Sequence, residues 1–178
     1  MARQTGDARE RLLDAYESLL IAEGERAATV QAVADRAGVS KGGLLYHFAS
    51  KAALEAALIE RLRDLGAADV VALEAADDIV ERFLRTSVAE GTPLDRALVA
   101  VVRLAQAPTG TAARAALRDL DEAYARAIAG RVGDDELAHA VVLLADGVYL
   151  RSALGTLDAE QAGADIERLL RIARRLGA

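Results

Sequence analysis

The chain has 178 residues, enough for one large domain or two small ones sharing a core. Hydrophobic residues make up 53% of it, much of that alanine, and aromatics only 3%, which predicts a folded, all-helical protein and excludes global disorder. The lack of cysteine excludes a disulfide scaffold, a thiolate zinc site and a cysteine nucleophile, and the net charge of −6 excludes a uniformly basic surface.

In chain order, the first predicted helix runs from about Asp7 to Glu23. Leu12, Leu13, Tyr16, Leu19 and Leu20 share one face, and Gly24 stops it. A second, short helix follows Thr29, a good N-cap, and ends at Gly38. A third follows Ser40 and runs to about His47. A fourth follows Ser50 and carries Leu54, Leu58, Ile59, Leu62 and Leu65. Ile79, Val80, Phe83, Leu84 and Val88 predict a fifth helix over Asp77–Glu90. Thr92-Pro93-Leu94-Asp95 is a helix start, with Pro93 at the first helical position. Pro108 and Gly110 punctuate the chain before a long helix from about Thr111 to Arg131. Asp134 caps an eighth helix running to about Leu154. Asp158 and Gln161 form a capping box for the last, which runs to about Leu176. The total is about nine helices.

The segment Thr29–Lys51 is the most informative. Val33, Ala34, Ala37, Val39 and Leu44 supply the inward faces of two short helices, and Ala34 lets them cross closely. Gly38 sits where a sharp turn needs positive φ. Two helices so joined form a helix-turn-helix, whose second helix can enter the major groove. Ser40, Lys41, Tyr46, His47 and Lys51 are then donors suited to phosphate oxygens and base edges. Thr29, and likewise Ser50 with Lys51, puts a hydroxyl at a helix start, a good place for a phosphate. Gly42 and Gly43 weaken the second short helix but remove bulk where backbone would approach DNA. Phe48 is expected in the core and Tyr46 at the surface. Arg3, Arg9, Arg26 and Arg36 could add phosphate contacts or simply line a solvated face. Residues 1–51 hold seven basic and seven acidic residues, so the rest of the chain carries the whole negative balance. Both lysines, Lys41 and Lys51, fall in that neutral part.

The run Gly38-Val39-Ser40-Lys41-Gly42, followed by Leu44, Tyr46, His47, Phe48, Ser50, Lys51 and Leu54, resembles the DNA-binding signature of the TetR family. At motif level the resemblance covers roughly residues 7–60. It implies an N-terminal three-helix DNA-binding domain over residues 1–50 and a helical ligand-binding and dimerisation domain over residues 51–178. It also implies a homodimer joined through its last two helices, a palindromic operator, and release by a small-molecule effector. Carried over, Thr29, Ser40, Lys41, Tyr46, His47 and Lys51 become the DNA contacts and Gly42 a close-approach site. Leu45 departs from the pattern, since many members have an aromatic there that touches phosphate.

For the effector, the candidate residues are Phe83, Arg103, Gln106, Tyr124, His139 and Tyr149, polar or aromatic positions on otherwise apolar helices. Leu137, Val141, Leu144 and Val148, with Ile166, Leu169, Leu170 and Ala173, are candidates for a four-helix interface with a second copy. The alternative for these is closure of the chain's own core.

No metal site, cofactor or catalytic residue is predicted. His139 has no second His or Cys near it, and no nucleophile triad, carboxylate pair or glycine-rich phosphate loop is recognisable. No stretch approaches the ~18 apolar residues of a membrane span, and the polar start lacks the apolar core of a signal peptide. The expectation is a soluble, cytoplasmic, non-enzymatic repressor. The competing reading is a helical partner-binding protein, or an activator without a small-molecule ligand.

Overall fold

The structure, a computed structural model, describes residues 2–177, with side chains from residue 8 onward; the Arg3 side chain lies outside them. Among the described residues there are nine helices and no strand: α1 (Ala2–Glu23), α2 (Val30–Ala37), α3 (Lys41–His47), α4 (Lys51–Glu74), α5 (Ile79–Thr86), α6 (Pro93–Ala105), α7 (Thr111–Val132), α8 (Asp135–Ala153) and α9 (Ala159–Leu176). The all-α expectation holds. Two helices differ in length from their predicted spans. The first begins at Ala2 rather than at about Asp7. The fourth, predicted without an end, runs to Glu74, where Arg131 of α7 donates to the carbonyls of Glu74 (3.1 Å) and Asp77 (3.2 Å) and caps it. The fifth stops at Thr86 rather than Glu90. There Thr86 and Ser87 turn their hydroxyls back to the Arg82 and Phe83 carbonyls, an alternative to helical continuation.

The chain forms two compact units. The first comprises residues 1–65 and 93–117 and the second residues 66–92 and 118–178, so the division falls inside α4 and inside α7. In the first unit, α1 packs against both α2 and α6, and α2 against α3. Its core is built on the α1 stripe Leu12, Tyr16, Leu19 and Leu20, with Val33, Leu44, Phe48, Leu54, Leu58 and Val101. Ala97 and Ala100 are fully buried on α6, and their small side chains let that helix lie close to α1. Glu17 of α1 is buried among these apolar residues, 4% exposed. It accepts from Arg61 (3.2 Å) and Arg96 (3.1 Å), while Arg61 also donates to Glu10 and Asp14, each at 2.7 Å.

In the second unit α5, α8 and α9 pack on one another, with residues of α7 completing the core. Phe83 and Tyr124 stack with ring centroids 4.9 Å apart, and the Tyr124 hydroxyl donates to Asp69 at 2.9 Å. Leu120 lies so close over Gly66 that a Cβ there would meet it at 2.6 Å.

Asp121 on α7 and Asp146 on α8 are like charges that act on one another. Both are surface residues, yet partial loss of water around the Asp121 carboxyl, and then the charges of Asp146 and Glu122, push it up to about 6; partial burial raises Asp146 as well. A carboxyl whose folded value lies above its unfolded one binds its proton more tightly when folded. Its contribution is therefore fully present below the unfolded value of 3.8 and lost as pH rises through about 6. Replacing Asp121 by Asn is expected to raise the melting temperature at about pH 8 and to leave it near the parent's at about pH 4. Calorimetry at both pH values checks this, and an equal difference at the two would reject it.

Candidate nucleic-acid interface

The α2–turn–α3 segment is fixed by capping at each junction. Thr29 Oγ1 accepts from the Ala32 amide (3.2 Å) and starts α2. Gly38 ends it at φ +68, the left-handed conformation that glycine adopts without penalty. The Gly38 and Val39 amides return to the Asp35 (3.2 Å) and Ala34 (3.0 Å) carbonyls, the paired bonds of a Schellman closure. Two residues later Ser40 Oγ accepts from the Gly43 amide (3.1 Å) and starts α3. Ser50 repeats the device at α4, accepting from Ala53 at 3.2 Å. Thr29, Ser40 and Ser50 use their hydroxyl oxygens as acceptors, which leaves each O–H proton able to donate outward.

Burial then divides the two faces of α3. Leu44 is fully buried and Phe48 nearly so, with the Arg9 guanidinium 5.0 Å over the Phe48 ring. On the other side Tyr46 is 80% exposed and Ser40, Lys41, Gly42 and Leu45 are exposed too. Tyr46 and the half-buried His47 meet edge to face at 5.2 Å. Lys41 has no partner among the described residues. Arg36 is engaged by Ser18 and Glu23, each at 2.8 Å, and Lys51 by Glu25. A Cβ on Gly42 would meet only Ser40 Oγ, at 4.0 Å, so nothing inside the protein requires glycine there.

The other sequence candidates are more scattered. Phe83, Tyr124, His139 and Tyr149 belong to the second unit, where Phe83 and Tyr124 meet in the core, Tyr149 is half-buried with its hydroxyl inside, and His139 is exposed. Arg103 and Gln106 are exposed residues of the first unit. Leu137, Val141, Val148, Ile166, Leu170 and Ala173 are buried in the second unit's own core, so within the single chain they already have partners. Leu169 is half-buried and Leu144 is 43% exposed. Apolar residues left uncovered on α8 and α9 are a different set: Leu143, Leu144, Leu150, Ile172 and Leu176, with Leu154 at the end of α8. Sequence reading also passed over Glu17, Glu25 and Glu55. A single acid in a sequence looks like a solvated one, and only the fold shows which are partly or wholly withdrawn from water.

The model of the tetR family of bacterial regulatory proteins matches residues 12–58, which run from the middle of α1 to the first third of α4 and contain the whole capped segment. Over those residues the chain resembles the tetR family of bacterial regulatory proteins. No curated protein matches it significantly. Among solved structures it is similar to a TetR transcription regulator from Haloarcula marismortui, with 19% identity over 96% of this chain and 98% of the other, TM-score 0.75. It is also similar to the multidrug binding protein EbrR crystallised with imidazole, 26% identity over 92% and 93%, TM-score 0.65. A third is NalD of Pseudomonas aeruginosa, described as the secondary repressor of the MexAB-OprM multidrug efflux pump, 19% identity over 96% of both chains, TM-score 0.65.

At Gly42 the demands of stability and of the expected DNA contact point in opposite directions. Gly42→Ala is expected to stabilise the protein by up to about 1 kcal/mol, because alanine is the better helix former and its methyl meets open space. The same methyl would stand between backbone and duplex and weaken DNA binding. Urea unfolding and a DNA titration of one preparation check both signs; unchanged DNA affinity would show that Gly42 is not approached.

Proposed function

We propose that the chain is a ligand-responsive repressor that binds a palindromic operator as a homodimer and is released by a small-molecule effector. The observation that carries this reading is the exposed face of α3, where Ser40, Lys41 and Tyr46 project from a doubly capped helix whose other side is buried in the core. In this reading Lys41 meets a base edge, guanine O6 and N7 being the best acceptors for it, and Tyr46 and His47 reach phosphates. Thr29, Ser40 and Lys51 add donors around the same helix. The DNA-binding function is assigned to residues 1–50, and ligand binding and dimerisation to residues 51–178.

Two half-sites require two reading heads at a fixed spacing, about one helical turn of DNA apart, and hence a second copy. The uncovered apolar residues of α8 and α9 support a dimer: Leu143, Leu150 and Leu154 follow one stripe of α8, and Ile172 and Leu176 one stripe of α9. An effector is supported by the similarity to EbrR, a multidrug binding protein. Such a ligand lowers operator affinity only by its preference for the arrangement that spaces the reading heads wrongly. Among the described residues no helix is long and apolar enough to cross a membrane, which supports a cytoplasmic site of action.

The test is operator selection from random DNA followed by titration of the selected duplex. Lys41→Ala is expected to weaken binding by about 1–3 kcal/mol and to relax preference at one base pair in each half-site. A variant that binds as the parent does would reject Lys41 as a base contact, and a parent indifferent to every duplex at low salt would reject the DNA reading itself.

A further inference from the structure

The lysine at the start of α4 is already occupied. Lys51 Nζ donates to the Glu25 carbonyl oxygen at 2.9 Å and pairs with the Glu25 carboxylate, so two of its three protons go to one residue of the α1–α2 loop. Lys51 and Glu25 side chains are 28% and 31% exposed, which makes this a stronger pair than a fully solvated one. The contrast with Lys41, which has no partner among the described residues, divides the chain's two lysines into one available and one held.

We propose that Glu25 competes with DNA phosphate for Lys51 and so sets the protein's affinity for DNA. A phosphate oxygen and a carboxylate oxygen are the same kind of acceptor for an ammonium. Lys51 therefore reaches DNA by exchanging Glu25 Oε1 for a phosphate, and the cost of that exchange is subtracted from the binding. Breaking the pair leaves the Glu25 carboxylate without its cation near the bound polyanion. It also leaves it beside Glu55, one turn along α4, whose carboxyl is already held above its ordinary range by burial and by Glu25. Burial first, and then the charges of the same two carboxylates, push up the phenol of the fully buried Tyr16.

This inference rests on the DNA reading, and a double-mutant cycle on a random-sequence duplex tests the two separately. Glu25→Gln keeps the loop carbonyl and the side chain's shape but removes the competing charge. It is expected to bind about 3- to 10-fold tighter than the parent, with a salt dependence steeper by up to about 0.9 in log–log slope. In a Lys51→Gln background the same Glu25→Gln change is expected to give no gain. A gain that persists without Lys51 would show a general charge effect and overturn the proposal, as would a Glu25→Gln protein that melts normally and binds no tighter. A parent that binds no duplex would instead overturn the DNA reading on which the proposal stands.

Discussion

The buried carboxylate of Glu17 is the constraint on which the first unit depends. It lies on the inward side of α1 among leucines and alanines, where an unpaired charge is prohibitive. Arg61 from α4 and Arg96 from α6 converge on it, and Arg61 spreads its remaining donors over Glu10 and Asp14. A leucine there would fill space more cheaply, but it would accept α4 and α6 at several heights along α1. The carboxylate accepts them at one. The α2–α3 pair packs on the same helix, so the register of α1 against α4 and α6 also fixes where the reading helix stands.

Local chemistry supplies the precision that the core cannot. Apolar contact between α2 and α3 through Val33, Ala34 and Leu44 is non-directional and would tolerate some rotation. Three hydroxyl caps and the Gly38 turn remove that freedom by fixing where each helix begins and ends. That is why α3 works with only seven residues, two of them glycine: its geometry is set at its ends and by Leu44 beneath it, and little is asked of its intrinsic helix propensity.

These end signals are also why the fold was legible from sequence. Thr29, Gly38, Ser40, Asp134 and the Asp158–Gln161 box each act within three or four residues, and each appears in the structure where local chemistry placed it. The end of α4 was not legible, because its cap is Arg131, far along the chain. The two apolar faces of α8 were not legible either. Leu137, Val141 and Val148 follow one helical stripe and Leu143, Leu150 and Leu154 another, and periodicity does not say which faces the chain's own core. For the reading head, residue types pointed to an exposed set of donors, and the structure exposes Ser40, Lys41 and Tyr46 while engaging Lys51. Partnering of that kind depends on Glu25, brought close only by the turn after α1.

Charge provides the last step. A chain of net charge −6 must keep its acids from repelling a polyanion, and residues 1–51 are no more than neutral. The structure handles them by pairing. Glu10, Asp14 and Glu17 share Arg61, Glu23 takes Arg36, Glu25 takes Lys51, and Asp35 accepts from Gln31 at 2.8 Å. Each pairing cancels an acid by consuming a donor, so the field near α3 is set less by how many basic residues the segment holds than by how many are left over. Among the described residues Lys41 is left over, because α3 carries no acid within its own turns to claim it. An acid introduced at Gly42 or Leu45 would disturb this face more than the loss of a distant arginine, since it would supply Lys41 with a partner on its own helix.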